Sequence, residues 1–424
     1  MITMQKGMLM NIQKEAEGAA EELTALRRYF HTHPEVSEKE FGTMDFIEKK
    51  LKEMGISSVR VEHGGTAAVI DSGRPGYTVL LRADIDALPI MESETNLRGK
   101  KACLSAVPGI SHACGHDGHM AMQLAAARIL ENHKQEWAGK VVLMFEEGEE
   151  NGSRCLIQIF RWMEEQGIHP DTCYATHVRW DIPAGRVAIL PGAAMAGVFA
   201  FHVRIDGTPG HGSRPDMAVS PLDCFVSFYQ ALQNVRMTKI SPEECLTFSV
   251  GSIQGGKAPN VIPGSLRFAG TCRFFGEEAG KRFEQIFMDY LDSECRRCGC
   301  TPHIESIRHS VPVMNHPRCA EMARKALEES MGPGILYEAP RWMASESMGI
   351  TLQMFPGIMS FTGIQDVRTG SGAPHHTPEF DIEEKGLTAG LAAVLSYTET
   401  MLEQKPDLSF TPVSLDEIAG GMKK

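Results

Sequence analysis

Four short segments concentrate the side chains able to bind a metal or move a proton. The segment HACGHDGHM, residues 112–120, holds Cys114, His116, Asp117 and His119 behind His112, and a helical pattern follows at once. Thiolate, imidazole and carboxylate are the ligands that zinc and its neighbours take, and the start of a helix stabilises negative charge nearby. A polar loop that merely caps a helix is the plain alternative. EEGEENG, residues 146–152, supplies Glu146, Glu147, Glu149 and Glu150 directly after the apolar run VVLMF. Adjacent carboxylates leave the backbone in different directions, so one can ligate a metal while its neighbour accepts a proton from a bound water. By itself such a loop reads equally well as the solvated end of a strand. His177 also follows an apolar run, where a lone histidine is more often structural. APHHTPEFDIEE sets His375 and His376 before a Pro-containing turn that alone reads as surface. Taken together, these Cys, His and Glu side chains make a two-metal hydrolytic centre the economical account.

The elements that must position them are also readable. Amphipathic helical patterns run over 21–30 and 43–54, and short apolar runs recur at 78–81, 141–145 and 173–176, with helical segments such as 120–130 between them. This alternation predicts an α/β fold whose sheet is buried on both faces. RADID, EEGEENG and HV follow the three runs, so polar groups gather past the strand carboxyl ends, the edge where open α/β sheets bind ligands. After residue 197 the pattern becomes strict alternation, with Phe199, Phe201, Val203 and Ile205 on one face, and the order to residue 310 reads β-α-β-β-α-β, a ferredoxin-like arrangement. The expected organisation is a domain of residues 1–195 and 311–424 with a second domain, 196–310, inserted into it. The tail after Gln404 carries little periodicity and reads as loosely docked.

Composition narrows the partners. A net charge of -12 without a long basic run argues against nucleic acid and favours a small-molecule substrate. No run of about 18 apolar residues is present, and the opening residues lack the apolar core of a signal peptide, so a cytoplasmic protein without a membrane partner is expected. Eleven cysteines, an odd number, read as reduced thiols. Cys295, Cys298 and Cys300, in CRRCGC, resemble half a zinc ribbon, but no second matching pair follows.

A family resemblance rests on several motifs in order: HTHPEVSEKEF at 31–41, LRADIDALP at 81–89, HACGHDGHM, the pair Glu149-Glu150, His177-Val178, GTPGHGSRPD at 207–216, GGKAPNVIP at 255–263, GTCRF at 270–274 and HHTPEFD at 375–381. Across most of its length the chain resembles the aminoacylase and carboxypeptidase superfamily of dinuclear metallopeptidases, in the branch of N-acyl-amino-acid amidohydrolases, hippurate hydrolases and auxin-conjugate hydrolases. The resemblance implies a zinc-peptidase-like α/β catalytic domain with an inserted ferredoxin-like lid and dimerisation domain, working as a homodimer. It implies two divalent ions (zinc, manganese, cobalt or nickel) on Cys114, His116, Glu150, His177 and His376, with Glu149 as general base and Asp84 orienting a ligand from behind. It further implies that His211 reaches the partner's active site to stabilise the oxyanion, that Asn260 and Arg273 hold the substrate's carboxylate or oxyanion, and that Glu346 lies at the substrate.

Departures sit beside the same motifs. Glu146, Glu147 and Asn151 replace the branch's usual QPAEEGG residues, Asp216 stands where a second histidine is common, and Ser347 breaks a Glu-Asp pair. The implied reaction is hydrolysis of N-acyl amino acids to a carboxylic acid and an amino acid. A carboxypeptidase or dipeptidase is the nearest alternative, and a non-catalytic binding protein or a thiol enzyme using Cys114 the more distant ones.

Overall fold

The computed structural model describes residues 10–152 and 155–421. The first nine residues, part of the stretch read for an apolar leader, lie outside them. Two compact units form: one takes the chain up to Gly192, Met314–Pro340 and the chain from Ile350 onward, the other Ala193–Val313 and Arg341–Gly349. Among the described residues no helix is long and apolar enough to cross a membrane.

The first unit is built on a seven-stranded mixed sheet. Across it run Ser58–Val61, Gly65–Asp71, Gly139–Glu146, Tyr77–Asp84, Thr172–Pro183, Gly357–Gln365 and Val187–Ala188, the four central neighbours from Gly139–Glu146 to Gly357–Gln365 being parallel. Val141, Leu143 and Phe145 are fully buried, as are Val79, Leu80 and Leu81, because helices cover both faces of a parallel sheet. Asp84 and Glu146 end their strands side by side. His177 differs from expectation: it lies inside Thr172–Pro183, not past its end. That strand pairs with Tyr77–Asp84 only as far as Ala175, yet continues to pair with Gly357–Gln365, where Phe361 faces His177. His177 therefore stands where two parallel neighbours part.

A buried ionic chain ties the helix Ala20–Thr32 to the helix His116–Asn132. Arg27 Nε donates to Asp117 Oδ2 at 2.9 Å, His31 Nδ1 lies 2.7 Å from the same oxygen, and His31 Nε2 lies 2.8 Å from Glu92 Oε1. Burial and Arg27 depress the His31 pKa, but its hydrogen bonds to Asp117 and Glu92 outweigh them and raise it. Removing one partner of a buried pair leaves an uncompensated charge. Asp117→Ala should therefore destabilise the protein by about 3 kcal/mol in denaturant unfolding, the low end of the usual range, since Glu384 still lies 3.4 Å from Arg27.

The second unit has strands Gly197–Asp206, Leu246–Gly255, Ser265–Phe274 and Thr301–Ser310 with helices Pro221–Thr238 and Glu277–Cys298, in β-α-β-β-α-β order. The sheet is antiparallel, with Ser265–Phe274 and Gly197–Asp206 central. Phe199, Phe201, Val203 and Ile205 are buried on one face, as their alternation requires. Beyond the expected 196–310, this unit takes in Arg341–Gly349, because Trp342 and Ala344 exchange backbone hydrogen bonds with Ala194 and Ala196. All eleven cysteines are free, and Cys224, Cys272, Cys295 and Cys300 fill this core.

The tail is not loosely docked. Val413 N donates to Gln353 O at 2.8 Å, Leu415 and Ile418 are buried, and the helix Leu415–Gly421 packs against Leu156–Glu165. Its anchors fall within one short turn, too few to register as periodicity.

Candidate metal centre

Cys114 and His116 flank Gly115, which caps the helix His116–Asn132 in a left-handed conformation at φ 89°. A Cβ there would stand 2.3 Å from Val178 Cγ2, so only glycine lets this turn press against the neighbouring strand. Cys114 Sγ lies 3.6 Å from His177 Nε2 and 3.4 Å from His376 Nε2. His376 is held by its backbone N–H on Ala113 O and has the positive φ of 62°; its Nε2 is 3.1 Å from Glu150 Oε1. His116 Nε2 lies 4.0 Å from that same oxygen. Two donor sets result, Cys114 with His116 and His177, and Cys114 with Glu150 and His376, each with all ligand atoms within 4.8 Å of one another. Cys114 belongs to both. A third set joins His116 to Glu149 and Glu150.

The residues fit divalent cations. His116 Nε2 is buried without a hydrogen-bond partner, a costly state for a polar atom unless a cation takes its lone pair. His116 Nδ1 faces Asp86 O at 2.8 Å and Asp86 Oδ1 at 3.1 Å, and His177 Nδ1 faces Val178 O at 2.6 Å. Both Nδ1 atoms must donate, which turns the Nε2 lone pairs to the cluster. Burial drives the His177 pKa down, keeping it neutral. At His116 burial also acts downward, but Asp84 and Cys114 carry it well above its ordinary value, so the cluster attracts positive charge. The Cys114 thiol is pushed up by burial and by Glu150, and a bound cation would reverse this.

Neighbours in the same motifs are already engaged. His119 Nδ1 lies 2.5 Å from Asp84 Oδ1, while its Nε2 accepts from Val178 N at 2.8 Å, so although it clusters with Asp84 and His116 it has no lone pair left for a metal. Asp117 is consumed by Arg27 and His31. His112 is buried with neither ring nitrogen hydrogen-bonded, and burial takes its pKa to about 4, so it is neutral. His375 packs on Phe380 with ring centroids 4.8 Å apart. Glu146 accepts from Arg82 Nε at 2.6 Å, which gives this departure a structural partner.

Asp84 holds His119 and Arg82 and stands 3.6 Å from His116 Nε2. The residue that orients His116 is Asp86, which sequence reasoning missed. Its Oδ2 also accepts from Ser37 Oγ at 2.6 Å and from Glu150 N at 3.0 Å. The signal was present, since residues two apart in extended chain share a side and RADID has two aspartates so spaced. Asp86→Ala should weaken metal binding by about 10- to 100-fold in a competition titration with a chelator.

In the second unit His211 pairs with Val261 in a two-stranded ribbon, and Gly212 N donates to Asn260 O at 2.8 Å, so His211 and Asn260 share one loop base. His211 is exposed, with Nδ1 2.8 Å from Ser213 Oγ. Arg273 donates to Ser345 Oγ at 3.1 Å, beside Glu346, which is buried and accepts from Met348 N at 3.2 Å. Asp216 pairs with Arg214 at 2.7 Å on the surface.

The model of peptidase family M20/M25/M40 matches residues 80–407. Among similar proteins, N-acetyl-L-cysteine deacetylase of Bacillus subtilis is 31% identical over 367 residues, covering 86% of this chain and 85% of the relative. Thermostable carboxypeptidase 1 of Saccharolobus solfataricus is 31% identical over 376 residues, 87% of this chain and 92% of the relative. A solved structure of the YXEP protein of Bacillus subtilis, described as a dinuclear metal-binding peptidase, superposes with TM-score 0.75 at 26% identity, covering 91% of this chain and 99% of that one.

Proposed function

Because the chain belongs to peptidase family M20/M25/M40 and is a metal-dependent amide hydrolase, we propose that its substrates are N-acyl amino acids or related amino-acid conjugates, cleaved to a carboxylic acid and an amino acid. The observation that carries this reading is the convergence of Cys114, His116, Glu150, His177 and His376, with Glu149 beside His116 and Glu150. We assign two ions to these five residues, the shared Cys114 being the reason for two, and cytoplasmic thiol-reducing conditions suit its eleven free cysteines. The ligand types accept zinc, manganese, cobalt or nickel.

Divalent ions at such a site polarise the scissile carbonyl and acidify water. Glu149 takes the proton from the attacking water and delivers it to the leaving amine, a transfer that needs one carboxylate at hydrogen-bonding distance. Asp86 keeps the His116 proton on Nδ1, and Gly115 and Gly148 fix where the donors leave the backbone. His211 as oxyanion donor, Asn260 and Arg273 at the substrate carboxylate, Glu346 at the substrate and a homodimer are assigned from the sequence motifs.

The test is a panel of N-acyl amino acids and unblocked dipeptides presented to protein loaded with defined metals. Release of the free amino acid should be at least tenfold faster, as kcat/KM, from the acylated compounds, about 1.4 kcal/mol in the barrier. Faster dipeptide cleavage would replace this reading with a carboxypeptidase or dipeptidase, the reading that the similarity to thermostable carboxypeptidase 1 favours.

A further inference from the structure

The segment HTHPEVSEKEF lies outside the proposed metal set, yet two of its side chains, Ser37 and Glu40, reach residues beside it. Glu40 occupies the N-cap position of the helix Phe41–Glu53 but makes no capping hydrogen bond. Glu35 does that work instead, accepting from Gly42 N at 3.1 Å and from Thr43 N at 2.7 Å. Ser37 holds Asp86 Oδ2, the oxygen that also takes Glu150 N. Released from capping, the Glu40 side chain crosses to the loop after Gly139–Glu146, where Oε1 accepts from Gly148 N at 2.8 Å. Glu40 is fully buried, and its Oε2 has no hydrogen-bond partner.

Gly148 is the hinge of that loop. Its φ is 69°, and the next two residues are Glu149 and Glu150, whose side chains must leave in different directions to serve as base and ligand. A Cβ at Gly148 would meet Cys155 Sγ at 3.1 Å, so the turn is packed as well as left-handed. Among the described residues, the backbone bonds of the Gly148–Asn151 turn are local, Asn151 N to Gly148 O and Gly152 N to Glu149 O. Long-range anchoring comes from two carboxyls, Asp86 on Glu150 N and Glu40 on Gly148 N.

We propose that Glu40 is a positioning residue for the hydrolytic step, fixing the Gly148 peptide and thereby the direction in which Glu149 faces the attacking water. This rests on the assignment of Glu149 as base. An ionised carboxylate with one buried oxygen lacking a donor would be costly, so Glu40 serves as a neutral acid that accepts one hydrogen bond. Burial, then the neighbouring Asp86 carboxylate, pushes its pKa up to about 8, consistent with that form. Glutamine preserves the shape and the accepting oxygen without the ionisation, whereas alanine removes both.

The experiment compares wild type, Glu40→Gln and Glu40→Ala in the full-length, metal-loaded protein. Glu40→Ala should lower kcat by about tenfold or more with KM within about twofold, the pattern of an interaction realised in the transition state. Its metal content should stay at the wild-type level, and Glu40→Gln should recover most of the lost turnover. Amide hydrogen exchange across Gly148–Asn151 should accelerate in the alanine variant and return toward wild type in the glutamine variant. An unaltered loop exchange rate in Glu40→Ala overturns the proposal, whatever the substrate. Equal kcat loss in both variants, or loss that tracks missing metal, also overturns it. Wild-type protein that cleaves no amide would sink the hydrolase reading instead, with the exchange result still deciding the Glu40 anchor.

Discussion

Glu149→Gln should retain its metal and lose turnover by about 100- to 10,000-fold, the usual contribution of a positioned general base. The substitution keeps the volume of the side chain and its place beside His116 and Glu150, but an amide nitrogen or oxygen cannot take a proton from water at neutral pH. Metal content measured by elemental analysis should match wild type, since Glu150, not Glu149, completes the set with Cys114 and His376. Single-turnover kinetics should place the loss in the chemical step, with KM little changed. An active, metal-replete glutamine variant would remove Glu149 from this role and leave Glu150 or a second carboxylate as the candidate.

Cys114→Ala should be at least as damaging, for a different reason. Cys114 alone is common to the two donor sets, so its loss removes one ligand from each. Losing a group behind a ligand already weakens binding by about 10- to 100-fold, and removing a donor common to both candidate sets should exceed that. The expected result is protein that folds with an unchanged circular dichroism spectrum, binds less than half the wild-type metal and has no measurable turnover. Excess metal should restore little activity. Wild-type protein active after complete removal of metal would instead favour the thiol-enzyme reading of the same cysteine.

Much of the fold was legible because it rests on local rules. The apolar runs that became Gly139–Glu146 and Tyr77–Asp84 are buried on both faces, and β-branched and aromatic residues in such runs leave few alternatives. The alternation from Phe199 to Ile205 announced a strand with one buried face. The extension of Thr172–Pro183 beyond His177 was not legible, because it depends on a partner strand nearly 200 residues away. The tail was misread for a similar reason. Leu415 and Ile418 make a single short turn of contacts, too little to raise a periodic signal but enough to bury two side chains.

At the candidate site the sequence alone determined the chemical types and the local turns. The glycine between Cys114 and His116 and the one before Glu149 and Glu150 allow the left-handed turns the structure shows, at φ 89° and 69°, from which the donors leave the backbone. Which donors remain available was decided only by tertiary structure. His116, Asp117 and His119 are chemically equivalent candidates within four residues, yet Arg27 and His31 consume Asp117, and Asp84 with Val178 consumes both nitrogens of His119. Only His116 keeps a lone pair for the cluster, because Asp86 draws its proton to the far side. Ligand availability is a matter of hydrogen-bond accounting among groups separated by tens of residues, and that accounting closes only when the chain is folded.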